Sequence, residues 1–350
     1  MKLHPATRRH PPPAPAPALA RRRALLWRLL PLPWLGTTGA AHGQDFPSRG
    51  LHLTVPYPAG GTVDLLARQL AAALRPALRQ EVRVENLPGA AGALGLQKLL
   101  QSAADGHELA LATDSDAVLV PLVNPQLRYR TEQLRLIGLV ARSPMVLVAG
   151  AGLQGAELAP WLAEARRPAA RPAVFGSYGV GSNSHLCAED FQQRTGLIGV
   201  HLPYKGIAPL LQDLLGGHVD LAFLPLAGGI HEAVAAGRLR ALGLAAAERD
   251  ARLPQLPTLA QALGLGGFVH HSWAGLVVPA AVPDAVAQRL AQELQDTLRS
   301  AEFQQTLLAS GSQPAPPMDL AQAQQLLLAE VERYRPLAAR WLSRSAALSR

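Results

Sequence analysis

Residues 51–68 read Leu-His-Leu-Thr-Val-Pro-Tyr-Pro-Ala-Gly-Gly-Thr-Val-Asp-Leu-Leu-Ala-Arg, a strand that turns sharply into a helix. Leu51, Leu53 and Val55 alternate with His52 and Thr54, the period of a pleated strand, and the spacing becomes helical at Leu65, Leu66, Leu70, Ala73 and Leu74. The helix therefore opens outward from the carboxyl end of a strand. Its first N–H groups have no partner inside the helix and share a partial positive charge, so a small anion suits the position. Gly60 and Gly61 leave the backbone open to close approach. Arg75 precedes Pro76, which predicts a kink or an end of the helix there.

The same alternation continues along the chain. Strands are expected at Val82–Val84, Leu109–Ala112, Met145–Val148, Ala173–Phe175, Ile198–Val200, Val219–Phe223 and Ala241–Leu244, each beside a helical stretch. This pattern predicts an α/β fold with a largely parallel sheet, whose ligands sit at the carboxyl ends of the strands. Two Leu/Ala-rich segments, Asp284–Leu298 and Asp319–Leu342, lack sustained heptads and should pack back on the first part of the chain.

Five segments carry a family resemblance in order and spacing. They are Pro56–Asp64, Val84–Gly92, Gly176–Ser182, Pro203–Pro209 with Asp213–Asp220, and Ser272–Leu276 with Pro279. Together they resemble the periplasmic solute-binding receptors of the tripartite tricarboxylate transporters (Bug/TctC-like), over about Pro47 to the C-terminus. The resemblance implies a two-domain fold like that of type II periplasmic binding proteins, with a ligand cleft between its lobes. Lobe I would comprise residues 44–142 plus 271–350, and lobe II residues 143–270, with crossings near Arg142–Pro144 and Val269–Ser272. It implies a receptor that binds a small organic acid or amino acid and delivers it to transporter membrane subunits. No cofactor or metal is expected, and the chain is expected to act as a monomer.

The formal charge of +8 would point to nucleic acid if it were spread over the body. It is not. Seven of the 33 basic residues lie within residues 1–43 with no acidic residue beside them, which leaves 26 basic against 25 acidic in the body. No nucleic-acid partner is expected. The leading segment has a basic start, an apolar stretch from Ala24 to Leu35 and small residues at Ala41-His42-Gly43. It reads as an export signal to the periplasm, with a disordered Pro-rich tail as the alternative and Arg21-Arg22-Arg23 leaving the twin-arginine route open. The apolar run falls short of the ~20 residues a membrane span needs. With Cys187 the only cysteine, an internal disulfide is impossible.

Three strand ends supply candidate ligand contacts: Tyr57, Ala59, Gly60, Gly61, Thr62 and Asp64; Thr113 and Asp114; and Ser177, Gly181, Ser182, Asn183 and His185. The third is the richest in glycine and hydroxyls, and Ser182 or Asn183 suits a helix cap or a ligand contact. Asp64 either complements the helix dipole or meets a ligand amine. Asp114 either points inward, favouring a zwitterion or monoacid, or acts as a cap. No arginine lies in these loops, so backbone N–H groups, hydroxyls and water are expected to hold an anion. Hydrogen bonds to a charged group are worth about 1.5–3 kcal/mol each; a helix terminus adds about 0.3–1 kcal/mol. Directed bonds therefore dominate.

Enzyme signatures fail. Phe175-Gly176-Ser177-Tyr178-Gly179 lacks the first glycine of a nucleophile elbow, and Gly89, Gly92 and Gly95 have the wrong spacing for a dinucleotide loop. His270 and His271 lack a third ligand at metal spacing and are expected at a hinge. Rival readings are a ligand sensor feeding a signalling receptor, and a hydrolase or isomerase of an organic acid.

Overall fold

The computed structural model describes residues 46–348 apart from 154 and 156. The expected export signal, residues 1–43, lies outside them. Strand β1 (Leu51–Val55) leads through the Pro/Gly turn into α1 (Thr62–Leu78), followed by β2 (Val82–Asn86), α2 (Ala93–Gln101), β3 (Glu108–Thr113) and the short α3 (Val120–Val123). Next come β4 (Leu134–Ala149), α4 (Leu158–Ala165), β5 (Ala173–Ser177), α5 (Asn183–Thr195) and β6 (Gly199–Pro203). The chain continues as α6 (Ile207–Leu215), β7 (Leu221–Pro225), α7 (Gly228–Ala235), β8 (Arg240–Ala245) and α8 (Leu259–Leu263). It ends with β9 (His271–Pro279), α9 (Asp284–Arg299), α10 (Ala301–Ala309) and α11 (Leu320–Leu348).

The strands form one sheet in the order β2-β1-β3-β9-β4-β7-β5-β6, with β8 also paired to β4. Strand β4 joins its two groups. Leu134–Pro144 pairs with β9, whereas Met145–Ala149 pairs with β7 and β8. Pro144 falls where one ladder gives way to the next. It has no N–H to donate, so a proline is tolerated there. The chain returns to the first group at β9, which begins opposite Pro144 at His271.

The sheet is mixed rather than largely parallel. β1 runs parallel to β2 and β3, and β5 parallel to β6 and β7, but β9 is antiparallel to β3 and β4, and β4 to β7 and β8. The two antiparallel strands are the ones that carry the chain between groups. β4 is longer than the expected Met145–Val148 and β9 is not expected from the sequence at all, because each is buried along nearly its whole length and so lacks polar alternation.

Helix α1 continues through Pro76 and stops at Arg79, in the left-handed region at φ 50°. Pro76 stands in the last turn, where its missing N–H removes one helical bond only. The long C-terminal helices do pack back: α9 through Ala287, Leu290, Ala291 and Leu294, and α11 through Ala323, Leu327, Val331 and Tyr334, all buried. Each buried leucine contributes about 1.5–3 kcal/mol relative to exposure.

Candidate functional site

The turn after β1 is held from behind. Asp64 accepts hydrogen bonds from the backbone N–H of Gly60 (2.9 Å), from Asn86 Nδ2 (2.9 Å) and from Arg68 Nε (3.1 Å), and Asn86 Nδ2 also reaches the Tyr57 carbonyl (3.1 Å). Burial opposes the charge on Asp64, but these donors outweigh it and hold the carboxyl below its usual range. Asp64 thus fixes the turn and does not line the cleft. Gly60, at φ +79°, and Ala59 are exposed at the tip. Gly61, the residue before α1, offers no side-chain cap, so the first N–H groups of the helix remain open at the wall formed by Gly61, Thr62 and Val63.

Two further helices begin against this turn, both from the second strand group. Gly206 precedes α6 at φ +143°, and a Cβ placed on it would stand 2.8 Å from Pro58 Cδ. Gly228 opens α7 at φ +54°, and a Cβ there would stand 2.9 Å from Thr62 Cγ2. Only glycine permits either approach. Like α1, neither helix has a side-chain cap at its start. Three uncapped helix N-termini from both groups therefore surround one turn.

The cleft they border has about 720 Å³ of empty space, its open mouth included. Its walls include Tyr57, Thr62, Thr113, Tyr178, Ile207 and Trp273. Behind Thr113 lies a hydrogen-bonded chain. Tyr57 Oη meets Thr113 Oγ1 at 2.9 Å, Thr113 Oγ1 reaches Asp116 Oδ2 at 3.2 Å, and Asp116 Oδ1 accepts the Thr113 N–H at 2.8 Å. Burial raises the Asp116 carboxyl to about 8, against the lowering effect of its bonds to Thr113 and Tyr57.

Asp114 neither points into the cleft nor caps a helix through its side chain. It is wholly buried and accepts hydrogen bonds from Ser272 Oγ (2.6 Å), the Trp273 N–H (3.3 Å) and Asn183 Nδ2. Burial raises it to about 7, with the Glu330 charge adding to that and the three donors opposing it. Asp114 bears on the cleft through Ser272 and Trp273, which do line it.

The third loop presents only Tyr178 to the cleft, and its other nominated residues are turned away. Ser177 bonds His201 Nε2 (2.6 Å) and the Gly179 backbone, Gly181 donates its N–H to His185 Nδ1 (3.1 Å), and Ser182 caps α5 by accepting the His185 N–H (3.4 Å). Asn183 donates its backbone N–H to Ser115 Oγ (3.0 Å). Ser177, Gly181, Ser182, Asn183 and His185 are all buried, and none lines the cleft. The glycines serve close packing instead: a Cβ on Gly181 would stand 2.5 Å from Val123 Cγ2, and one on Gly179 2.7 Å from Ala91 Cβ. Burial and the stacked His201 ring, 3.8 Å away, lower His185 to about 3.

Of the sequence-nominated residues, then, Tyr57, Gly61, Thr62 and Thr113 line the cleft. Sequence reading missed Tyr178, Ser143, Ser272, Ser312 and the start of α6 at Ile207 and Ala208. The signal for α6 was present in Pro203-Tyr204-Lys205-Gly206, where a glycine stands just before an apolar helix. His270 and His271 sit at the return crossing, with His270 Nε2 3.0 Å from Asp190 Oδ2 and His271 among Arg142, Glu330 and Arg333.

A mixed α/β sheet whose two strand groups each contribute a wall to one cleft, with helix N-termini facing it, is the architecture of a two-lobed solute-binding protein. Residues 66–341 match the family described as "Tripartite tricarboxylate transporter family receptor", and the chain belongs to that family. Its relatives include Protein BugT of Bordetella pertussis, 33% identical over 285 residues that cover 80% of this chain and 85% of BugT. Among solved structures, an R. palustris protein with adipate is 30% identical at a TM-score of 0.78, covering 84% of this chain and 98% of its own. The periplasmic binding protein BugD is 28% identical at a TM-score of 0.73, covering 83% and 98%. The family is one of receptors, and the chain is a solute-binding protein rather than an enzyme. Among the described residues, no helix is long and apolar enough to cross a membrane.

Proposed function

We propose that this protein captures a small organic carboxylate in the cleft and hands it to the membrane subunits of a tripartite tricarboxylate-type transporter. The observation that carries the reading is the convergence of the uncapped starts of α1, α6 and α7 on the turn from Tyr57 to Thr62. Gly61, Thr62 and the first residues of α6 hold the carboxylate, with Tyr57 and Thr113 forming the wall beside it. The relative solved with adipate supports a carboxylate guest.

In this reading residues 44–142 plus 271–350 form lobe I and residues 143–270 lobe II, and the lobes hinge on β4 at Pro144 and on the start of β9. Ligand contacts to both lobes favour the closed form, which the membrane partner recognises. Residues 1–43 direct export to the periplasm, and BugD, a periplasmic binding protein, supports that location. The receptor works as a monomer. The test is mass spectrometry of whatever co-purifies with the mature chain, followed by calorimetric titration of that compound and cross-linking to the membrane subunits. Recovery of an organic acid that binds again and promotes cross-linking is the expected result. A protein that binds no acid in a broad panel overturns the reading.

A further inference from the structure

Four features of the cleft bear on which acids it takes. First, no lysine, arginine or histidine side chain lines it. Arg68 pairs with Asp64, Arg142 with His271 and Arg252 with Asp250, while Lys205, exposed beside Gly206, does not line the wall. Second, two carboxyls are buried directly behind its wall, Asp116 bonded to Thr113 and Asp114 bonded to Ser272. Above about pH 8, where both carboxyls carry charge in the folded chain, an anion in the cleft faces their field through a single layer of side chains, in a low-dielectric interior where such effects are large.

Third, those two carboxyls occupy hydroxyl protons. Ser272 gives its proton to Asp114 and Thr113 gives its own to Asp116, which leaves the Tyr57 hydroxyl proton to Thr113. The Ser272 and Tyr57 oxygens then turn lone pairs toward a guest and repel a carboxylate oxygen. The donors left over are the open helix N–H groups and the hydroxyls of Thr62, Ser143 and Ser312. Those two serines are 4% and 3% exposed, line the cleft, and make no side-chain hydrogen bond to another described residue. Fourth, most of the remaining wall is apolar, including Leu66, Tyr178, Ile207, Pro225, Ala274 and Trp273.

We infer that the cleft is selective for acids that carry a single carboxylate on a mainly apolar body and discriminates against dicarboxylates of the same length. The inference rests on the receptor reading above and narrows it. A second carboxylate placed among the apolar walls would lose its hydration with no cation to replace it. An alkyl or aromatic body loses nothing there and gains by burial. The relative solved with adipate marks the contrast, since adipate carries a carboxylate at both ends.

The experiment is calorimetric titration of the mature protein with three matched pairs: butanoate and succinate, hexanoate and adipate, benzoate and terephthalate. Within the pair that fits best, the monoacid is expected to bind at least about tenfold more tightly, or ~1.4 kcal/mol. In Asp116→Asn the amide oxygen can still accept the Thr113 N–H while the amide nitrogen donates to Thr113 Oγ1 where the carboxylate accepted from it, so the charge is lost and this preference should narrow at pH 9. A dicarboxylate that binds as tightly as its monoacid partner overturns the inference and leaves the receptor reading standing. Failure of all six acids, together with the broad panel, overturns both. A preference unchanged in Asp116→Asn rejects the part assigned to the buried carboxyl.

Discussion

Asn183, the first residue of α5, donates its side-chain amide to Asp114 Oδ2 and also to the His271 carbonyl at 2.8 Å, tying the second strand group to the first at a point sealed from water. Asp114 follows β3, so the bond links the carboxyl end of one strand to the helix that follows another. Asn183→Ala removes both donors and leaves Asp114 with Ser272 and the Trp273 N–H. A buried polar group that loses a partner costs about 1–3 kcal/mol, and denaturant unfolding should show a loss of that size with an unchanged slope. Equal stability of the variant would mean that the bond does not form in solution.

Stability should fall between pH 6.5 and 8. Asp114 and Asp116, raised from 3.8 to about 7 and about 8, keep their protons in the folded chain after the unfolded chain has released them. Folding therefore binds protons in this window, and the contribution, complete below the unfolded value, disappears as pH rises through the folded values. His185 and His201, lowered from 6.5 to about 3 and about 4, act the other way but only below their unfolded value. The expected loss is on the order of 1–2 kcal/mol after allowance for coupling of the two carboxyls. Thermal melts of Asp116→Asn should have a flatter profile across this window. A wild-type midpoint that rises from pH 6.5 to 8 would contradict the assignment.

Gly61→Asp and Ser182→Ala should separate the cleft from the loop that merely resembles it. Gly61 lines the wall before α1, and a carboxylate there meets the guest with like charge, so affinity should drop on the order of tenfold or more, ~1.4 kcal/mol. Ser182 caps α5 away from the cleft, so its alanine variant should lose about 1 kcal/mol of stability and keep its affinity. Calorimetry beside thermal melts reads both. Reversed effects would return the α5 start to the binding site.

The strand-turn-helix at 51–68 was legible because each step has a local cause: period-two apolar residues, two prolines and two glycines, then helical spacing. The same local reasoning misjudged the loop from Ser177 to His185. Its hydroxyls and glycines are the composition of an anion site, yet they meet His201, Ser115 and Val123, residues distant in sequence whose positions the fold alone decides. Strand β9 hid for a related reason. A fully buried strand carries no alternation, and only its antiparallel partners β3 and β4 reveal it. Asp114 reads from the sequence as an inward-pointing carboxyl or a cap and is neither, because its pairing with Ser272 depends on a crossing that returns over 150 residues later.

Gly206 offers the most direct test of closure. It stands at φ +143°, and an added Cβ would lie 2.8 Å from Pro58 Cδ, a ring that cannot swing aside as a flexible chain end would. Gly206→Ala therefore pushes α6 away from the turn at Tyr57–Thr62, and the closed form loses population to an open one. Apparent affinity scales with the fraction of competent protein, so hexanoate binding should weaken on the order of tenfold, ~1.4 kcal/mol. Backbone strain alone cannot account for such a loss if Gly237→Ala is measured alongside. Gly237 also has a positive φ, +67°, but nothing lies within 4 Å of its added Cβ. Its variant should lose stability by about 1 kcal/mol and bind as the wild type does. Equal affinities in the two variants would show that the approach of Gly206 to Pro58 plays no part in ligand capture.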